Sequence, residues 1–123
     1  MSKTKLALAF KALRKSGIYA RMNFSCCGSC GVYEIHQILK QKDPDGKKYN
    51  GYCFYHAQDN ERMERGADCL HLQHGWYGKI TAPIIPGPYA HIRTARAIVA
   101  ILKQNGLKCE WNGNDGTCIK VIL

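Results

Sequence analysis

The stretch that decides the fold spans residues 18–40 and reads IYARMNFSCCGSCGVYEIHQILK. Apolar side chains occupy every second position over residues 18–24, which is typical of a β-strand. Small residues then form a tight turn over residues 25–31, and apolar side chains return at helical spacing over residues 32–40. Ser29 is the expected N-cap of that helix. The stretch therefore predicts a strand, a turn and a helix in succession.

Regular elements flank this stretch on both sides. Their order predicts an α+β fold with one domain over residues 1–123. We expect a mixed sheet of about five strands, two or three main helices and a C-terminal β-hairpin. A strand–helix–strand connection crosses over right-handed, so the first two strands should be parallel. The flanking elements are a helix at 4–16, a strand at 51–56, a short helix at 58–65, a strand at 69–73, a helix at 89–105 and hairpin strands at 107–111 and 117–123.

The charge of the chain is positive and uneven. The 123 residues carry a formal charge of +9, and every basic residue up to Arg21 precedes the first acid, Glu34. A basic patch favours anionic partners, here an acidic protein or nucleic acid, although a solvated helix face has the same composition. No apolar run approaches the roughly 18 residues of a membrane-spanning helix, so no membrane contact is expected. The basic residues proposed to bind the partner are Lys5, Lys11, Arg14 and Lys15.

The chain contains seven cysteines, an odd number that argues against a framework of disulfides. The short apolar stretch near the start does not resemble a secretory signal, so a cytoplasmic location with reduced thiols is expected. Most of the isolated cysteines are expected to be small core residues. Three others stand apart because they cluster within the turn: Cys26, Cys27 and Cys30.

The position of this turn suggests a functional site. It places thiols at the carboxyl end of the first strand and at a helix N-terminus, which stabilises a thiolate. If the second strand is parallel and adjacent, His56 and then Asp59 follow at the same edge of the sheet. We therefore expect Cys27, Cys30, His56 and Asp59 near one another, with Cys26 pointing elsewhere.

A zinc site is the first chemistry that fits these residues. Cys27 and Cys30 have the spacing of half a structural zinc site, and His56 would be a third ligand. His74 ends the third strand and would reach the same edge only if that strand is also parallel. The candidates for a fourth ligand are Cys26, Asp59 and His74.

Two enzymatic chemistries also fit. A Cys-x-x-Cys between a strand and a helix resembles the motif of thioredoxin-like proteins, which implies that Cys27 attacks a disulfide and Cys30 resolves the product. Alternatively, Cys27 is the nucleophile of a cysteine-dependent enzyme, with His56 as base and Asp59 orienting it. A purely structural interpretation is that the turn needs small residues, that His56 bonds a backbone carbonyl and that Asp59 caps a helix from Asn60.

Residues 24–31, 51–59, 70–75 and 106–113 together resemble a family of small bacterial proteins of unknown function. That family has a CC-x-x-CG turn and a strand that ends in His-x-Gln-Asp. The resemblance implies no activity, but it implies that one polar motif comprises Cys26, Cys27, Cys30, His56, Gln58 and Asp59. The interpretation preferred on these grounds is a cytosolic, non-enzymatic binding protein with a zinc or reduced-thiol site and a basic face.

Overall fold

The computed structural model describes residues 2–77, 90–114 and 116–123. These ranges contain four helices and five strands. The helices are α1 (Ser2–Lys15), α2 (Gly28–Lys42), α3 (Ala57–Glu64) and α4 (Ala90–Gln104). The strands are β1 (Ile18–Arg21), β2 (Gly51–Phe54), β3 (Cys69–Trp76), β4 (Lys108–Glu110) and β5 (Ile119–Ile122).

The strands form one mixed sheet in the order β1-β2-β3-β5-β4. β1 and β2 are parallel, with Ala20 opposite Cys53, as a right-handed crossover through α2 predicts. The other neighbouring pairs, including β4 with β5, are antiparallel. The predicted α+β fold with a mixed five-stranded sheet and a C-terminal hairpin is therefore confirmed.

Helices cover both faces of the sheet because side chains alternate along each strand. On one face, Ile18 and Ala20 belong to a core cluster that includes buried residues of α1 and α4. On the other face, Tyr19 belongs to a second cluster in which α2 packs with its buried residues Ile35 and Leu39. The turn between β1 and α2 follows the end of β1, so it lies at an edge of the sheet, with one core cluster on each face.

Several element boundaries differ from the sequence-based predictions. β1 ends at Arg21 rather than at residue 24, since Asn23 adopts a left-handed backbone with φ of 48° and interrupts the extended chain. α2 begins at Gly28, so Ser29 lies inside the helix and is not its N-cap. The N-cap is Cys27, whose side chain makes no capping hydrogen bond. Residues 89 and 115 of the predicted helix and hairpin lie outside the described residues.

None of the helices in the described ranges combines the length and the apolar character that crossing a lipid bilayer requires.

Candidate metal centre

The turn between β1 and α2 is held in place by the chain that follows β2. The backbone N–H of Phe24 donates to the carbonyl of Tyr55 at 2.9 Å, and that of Ala57 donates to the carbonyl of Ser25 at 3.0 Å. Ser25 has a φ of 68°, a left-handed conformation that costs a non-glycine residue about 1–2 kcal/mol. These two hydrogen bonds offset that cost and fix the direction in which the chain enters the cysteine turn.

Three thiols converge immediately after this anchor. The sulfur atoms of Cys26, Cys27 and Cys30 all lie within 4.8 Å of one another. The Sγ atoms of Cys26 and Cys27 are 3.9 Å apart, and the Ser29 hydroxyl lies 3.6 Å from the Cys27 sulfur. Cys26 therefore belongs to the cluster, and the expectation that it points elsewhere is wrong. We call these three residues the thiol cluster.

The thiol cluster is accessible and its cysteines form no disulfide. Cys26 and Cys30 are exposed, Cys27 is half-buried, and all three are free thiols. The hydrogen bond from the backbone of Cys30, aided by the Ser29 hydroxyl, lowers the pKa of Cys27 from 9.0 to about 7. Cys30 shows the opposite behaviour, because its hydrogen bond to Cys27 raises its pKa to about 11. At pH 7, about half of the Cys27 side chains are thus thiolates, stabilised chiefly by the backbone of Cys30.

Two glycines let the first turn of α2 lie directly on the sheet. A Cβ atom at Gly31 would overlap the ring of Phe54 on β2. At Gly28 it would lie 2.9 Å from the side-chain amide nitrogen of Gln73 on β3. The start of α2 is therefore seated between β2 and β3, which holds the thiol cluster at the edge where β1 and β2 end.

His56 and Asp59 form a separate polar group next to this edge. His56 is the N-cap of α3, and its Nε2 lies 3.7 Å from Oδ2 of Asp59. Asp59 is only 2% exposed, lies in the first turn of the helix, and accepts a hydrogen bond from Arg62 at 2.9 Å. The structural interpretation expected Asp59 to cap a helix that starts at residue 60. This expectation is wrong, because α3 already begins at Ala57. We call His56, Asp59 and Arg62 the Asp59 cluster.

β3 brings His71 to the Asp59 cluster, and the sequence-based prediction of the site did not include this histidine. Nδ1 of His71 lies 3.9 Å from Oδ1 of Asp59. β3 runs antiparallel to β2 with His74 opposite Cys53, so the start of β3, not its end, lies at the edge after β2. The condition for His74 to join the site is therefore not met. Its ring contacts the carbonyl of Thr117 at 2.8 Å instead.

The structure divides the residues of the predicted site between two groups. The structure joins Cys27 and Cys30 to Cys26, and it joins His56 to Asp59. Within the part of the chain that the structure describes, the group of closely spaced metal-ligating atoms consists of the three sulfurs alone. His56 and Asp59 are not members of that group. The assignment of His56 as a third metal ligand stays a prediction.

The donor set of the thiol cluster suits a thiophilic cation. Zinc binds thiolate sulfur at about 2.3 Å, so tetrahedral geometry separates neighbouring sulfurs by about 3.8 Å. The sulfurs of the cluster lie within 4.8 Å, and rotation of exposed cysteine side chains can close that difference. The cluster can therefore supply three ligands to one ion, and a fourth ligand would come from outside this group.

Comparison with known proteins places the chain in a family. Residues 2–123 match the model of a family described as "Domain of unknown function (DUF6891)", which spans nearly the whole chain. The chain therefore belongs to this family, as expected from its resemblance to proteins of unknown function. No curated protein and no solved structure matches the chain.

Proposed function

We propose that this member of the DUF6891 family is a zinc-binding protein of the reducing cytoplasm, with Cys26, Cys27 and Cys30 as its protein ligands. One observation carries the proposal: three free thiols from a five-residue turn converge within 4.8 Å. Thiolates are ligands that zinc prefers, and a reduced cluster of three is available to it without rearrangement of the fold.

The arrangement favours exchange of the ion over its permanent enclosure. Structural zinc sites have four protein ligands, whereas this cluster offers three and is largely exposed. A shallow depression of about 440 Å³, lined by Ser29, Cys30, Tyr33 and Glu34, adjoins it. A thiol or imidazole of another molecule can approach from there and complete the coordination. We therefore favour a protein that binds and hands over zinc.

The geometry gives less support to a Cys27–His56 enzyme. A general base for Cys27 has to lie within hydrogen-bonding reach of its sulfur. The hydrogen bonds that stabilise the Cys27 thiolate come from Cys30, Ser29 and Cys26. His56 pairs with the carboxylate of Asp59 at 3.7 Å, and neither residue is a member of the thiol cluster. These contacts support a binding role.

Native mass spectrometry of zinc-loaded protein tests the proposal. The wild type should retain one zinc ion that is lost on acid denaturation. The Cys27→Ala/Cys30→Ala variant should bind none and should lose the stability that zinc adds. The matched control is Cys69→Ala/Cys109→Ala, which removes two thiols outside the cluster and should keep the ion. A wild type without zinc, or a control that loses it equally, would overturn the proposal.

Thiol–disulfide exchange is the second candidate, favoured by the opposite pKa shifts of Cys27 and Cys30. The Cys27 thiolate, with a pKa of about 7, would attack a small disulfide such as oxidised glutathione and release one glutathione thiolate. Cys30 would then lose its proton and displace the second glutathione, leaving a Cys27–Cys30 disulfide. Metal-free protein treated in this way should lose two hydrogens in mass. If a mixed disulfide persists instead, Cys30 does not resolve it.

A further inference from the structure

The net positive charge of the molecule is concentrated in one helical layer. The segments of α1 and α4 contain eight lysines and arginines and no aspartate or glutamate. The rest of the chain contains ten basic and nine acidic residues and is nearly neutral. Nearly all of the +9 excess therefore belongs to the two helices that cover one face of the sheet. A surface that is merely solvated mixes both signs, whereas this layer carries only one.

The two helices lie side by side, and the basic side chains that the structure describes on them are exposed, although Arg14 also donates a hydrogen bond to the Ala20 carbonyl at 3.1 Å. Both bury apolar residues in the same core cluster, and the Lys5 side chain packs beside Gly106, just after the end of α4. Arg93, Arg96 and Lys103 share one stripe of α4, because they are spaced by three and seven residues. The exposed cations of the layer are Lys5, Lys11, Arg14, Lys15, Arg93, Arg96 and Lys103. We call this surface the basic layer.

We infer that the basic layer binds the phosphate backbone of double-stranded nucleic acid. A duplex presents about one negative charge per 1.7 Å of its axis. A helix of 14 residues, the length of α1, spans about 21 Å, and a duplex segment of that length carries roughly a dozen phosphates, of which those on the near side face the layer. This continuous charge matches rows of cations along two adjacent helices. The interaction would read backbone charge rather than base sequence.

Two other anionic partners fit the layer less well. Single-stranded nucleic acid is usually held by exposed aromatic rings. Helices α1 and α4 together contain one phenylalanine, Phe10, and no tyrosine or tryptophan. Phe10 is fully buried, so the layer offers no ring of these types for stacking. Insertion into an anionic membrane needs a free apolar stripe, and the stripe of α1 is already buried with Leu6 and Leu13 at 0% exposure. One exposed leucine, Leu8, remains on this helix. Double-stranded nucleic acid is thus the partner that the side chains favour.

Fluorescence anisotropy with a labelled 20-base-pair DNA duplex and an RNA duplex of the same length tests the inference. With six or seven of these cations on phosphates, we expect binding that weakens roughly 10³ to 10⁴-fold between 50 and 200 mM salt. The Lys11→Gln/Lys15→Gln/Lys103→Gln variant should bind more weakly and reduce the slope of log K against log salt by about 3. Glutamine keeps high helix propensity, so the variant should stay folded by circular dichroism.

The control variant, Lys40→Gln/Lys47→Gln/Lys108→Gln, removes three exposed lysines outside the basic layer. It should keep most of the wild-type affinity and slope. Equal losses in both variants would show an effect of net charge alone and overturn the assignment of the surface. Absence of a duplex complex at 50 mM salt, or tighter binding of a single strand or of poly-glutamate, would overturn the assignment of the partner. Loss of zinc should leave this binding unchanged, since the thiol cluster is not part of the layer.

Discussion

At the scale of single residues, the environment of each cysteine decides its chemistry. Cys53 is fully buried on β2, and burial raises its pKa far above the ordinary value. Cys27, at the N-terminus of α2, has a pKa lowered to about 7 because the Cys30 backbone and the Ser29 hydroxyl donate hydrogen bonds to its sulfur. At neutral pH the cysteine side chain is therefore protonated in the core at Cys53 and about half ionised in the turn at Cys27.

This contrast predicts an order of alkylation. In metal-free protein, modification of Cys27 by iodoacetamide should show a midpoint near pH 7, and that of Cys30 near pH 11. Peptide mass spectrometry after brief labelling across a pH series measures both. Ser29→Ala should shift the Cys27 midpoint upward, because a hydrogen bond that stabilises the thiolate is lost. Ser16→Ala, whose hydroxyl bonds the Leu13 carbonyl, is the control. A Cys27 midpoint at 9 or above contradicts the proposed hydrogen bonding.

At the scale of elements, the loop between α2 and β2 depends on one carboxylate. The oxygens of Asp43 accept hydrogen bonds from the backbone N–H groups of Lys47, Lys48 and Tyr49 at 2.8–3.0 Å. Burial alone raises the pKa of Asp43, but these hydrogen bonds outweigh it and lower the pKa below 3.8. The ionised carboxylate therefore stabilises the folded loop.

Asp43→Asn should lower the free energy of unfolding at pH 7 by about 1–3 kcal/mol, because a charged acceptor of three hydrogen bonds is replaced. A lowered folded-state pKa adds stability that is complete above the unfolded pKa and is lost as pH falls through the folded value. The difference in free energy of unfolding between wild type and variant should therefore become smaller below pH 3.8. Urea unfolding at pH 7 and pH 3 measures this. Asp45→Asn, exposed in the same loop, should change stability by less than about 0.5 kcal/mol.

The close contact of α2 with β2 is possible because Gly31 has no Cβ atom. Gly31→Ala should destabilise the fold by about 1–3 kcal/mol, because its Cβ would overlap the buried Phe54 ring. Gly28→Ala is the control, since there the neighbour is the movable end of Gln73 and the cost should stay below about 1 kcal/mol. Urea midpoints compare the two. Equal stability of both variants would show that α2 can shift away from the sheet.

How much of the site follows from sequence depends on strand direction. The parallel pairing of β1 and β2 follows from the helix between them, and it correctly places the thiol turn beside the segment after β2. The direction of β3 does not follow in this way, because the connection over residues 55–68 is long enough for a parallel crossover and equally allows an antiparallel return. The predicted site therefore included His74 as a candidate and left out His71. Once β3 is known to run antiparallel to β2, its first residues, including His71, are expected at the edge where β2 ends.

At the scale of the whole molecule, the core separates two chemically different surfaces. The basic layer of α1 and α4 covers one face, and the thiol cluster lies at the start of α2, which covers the other. The charge count along the sequence detected the contribution of α1 but not that of α4. The two helices are 74 residues apart in the chain, between Lys15 and Ala90, and only the fold shows that they share a face. Local patterns identify each element, whereas the combined surface depends on tertiary packing.

The position of the thiol cluster outside both core clusters leads to a prediction about metal and stability. Neither core cluster contains Cys26, Cys27 or Cys30. Metal-free protein should therefore remain folded and unfold cooperatively, in contrast to small domains that need zinc to fold. Zinc at 100 times its Kd should add about 2.7 kcal/mol, a rise in the melting midpoint of roughly 10 °C for a domain of this size.

Differential scanning calorimetry with and without zinc measures this shift. The Cys26→Ser/Cys27→Ser/Cys30→Ser variant should melt within a few degrees of metal-free wild type and should show no shift with zinc, because the ligands are gone while the core is intact. The control Cys69→Ser/Cys109→Ser should melt lower, since both side chains are partly buried, yet keep the zinc-dependent rise. If chelation instead unfolds the wild type, the ion is a structural component of the fold. The cluster would then be a closed site with a fourth ligand from elsewhere in the chain.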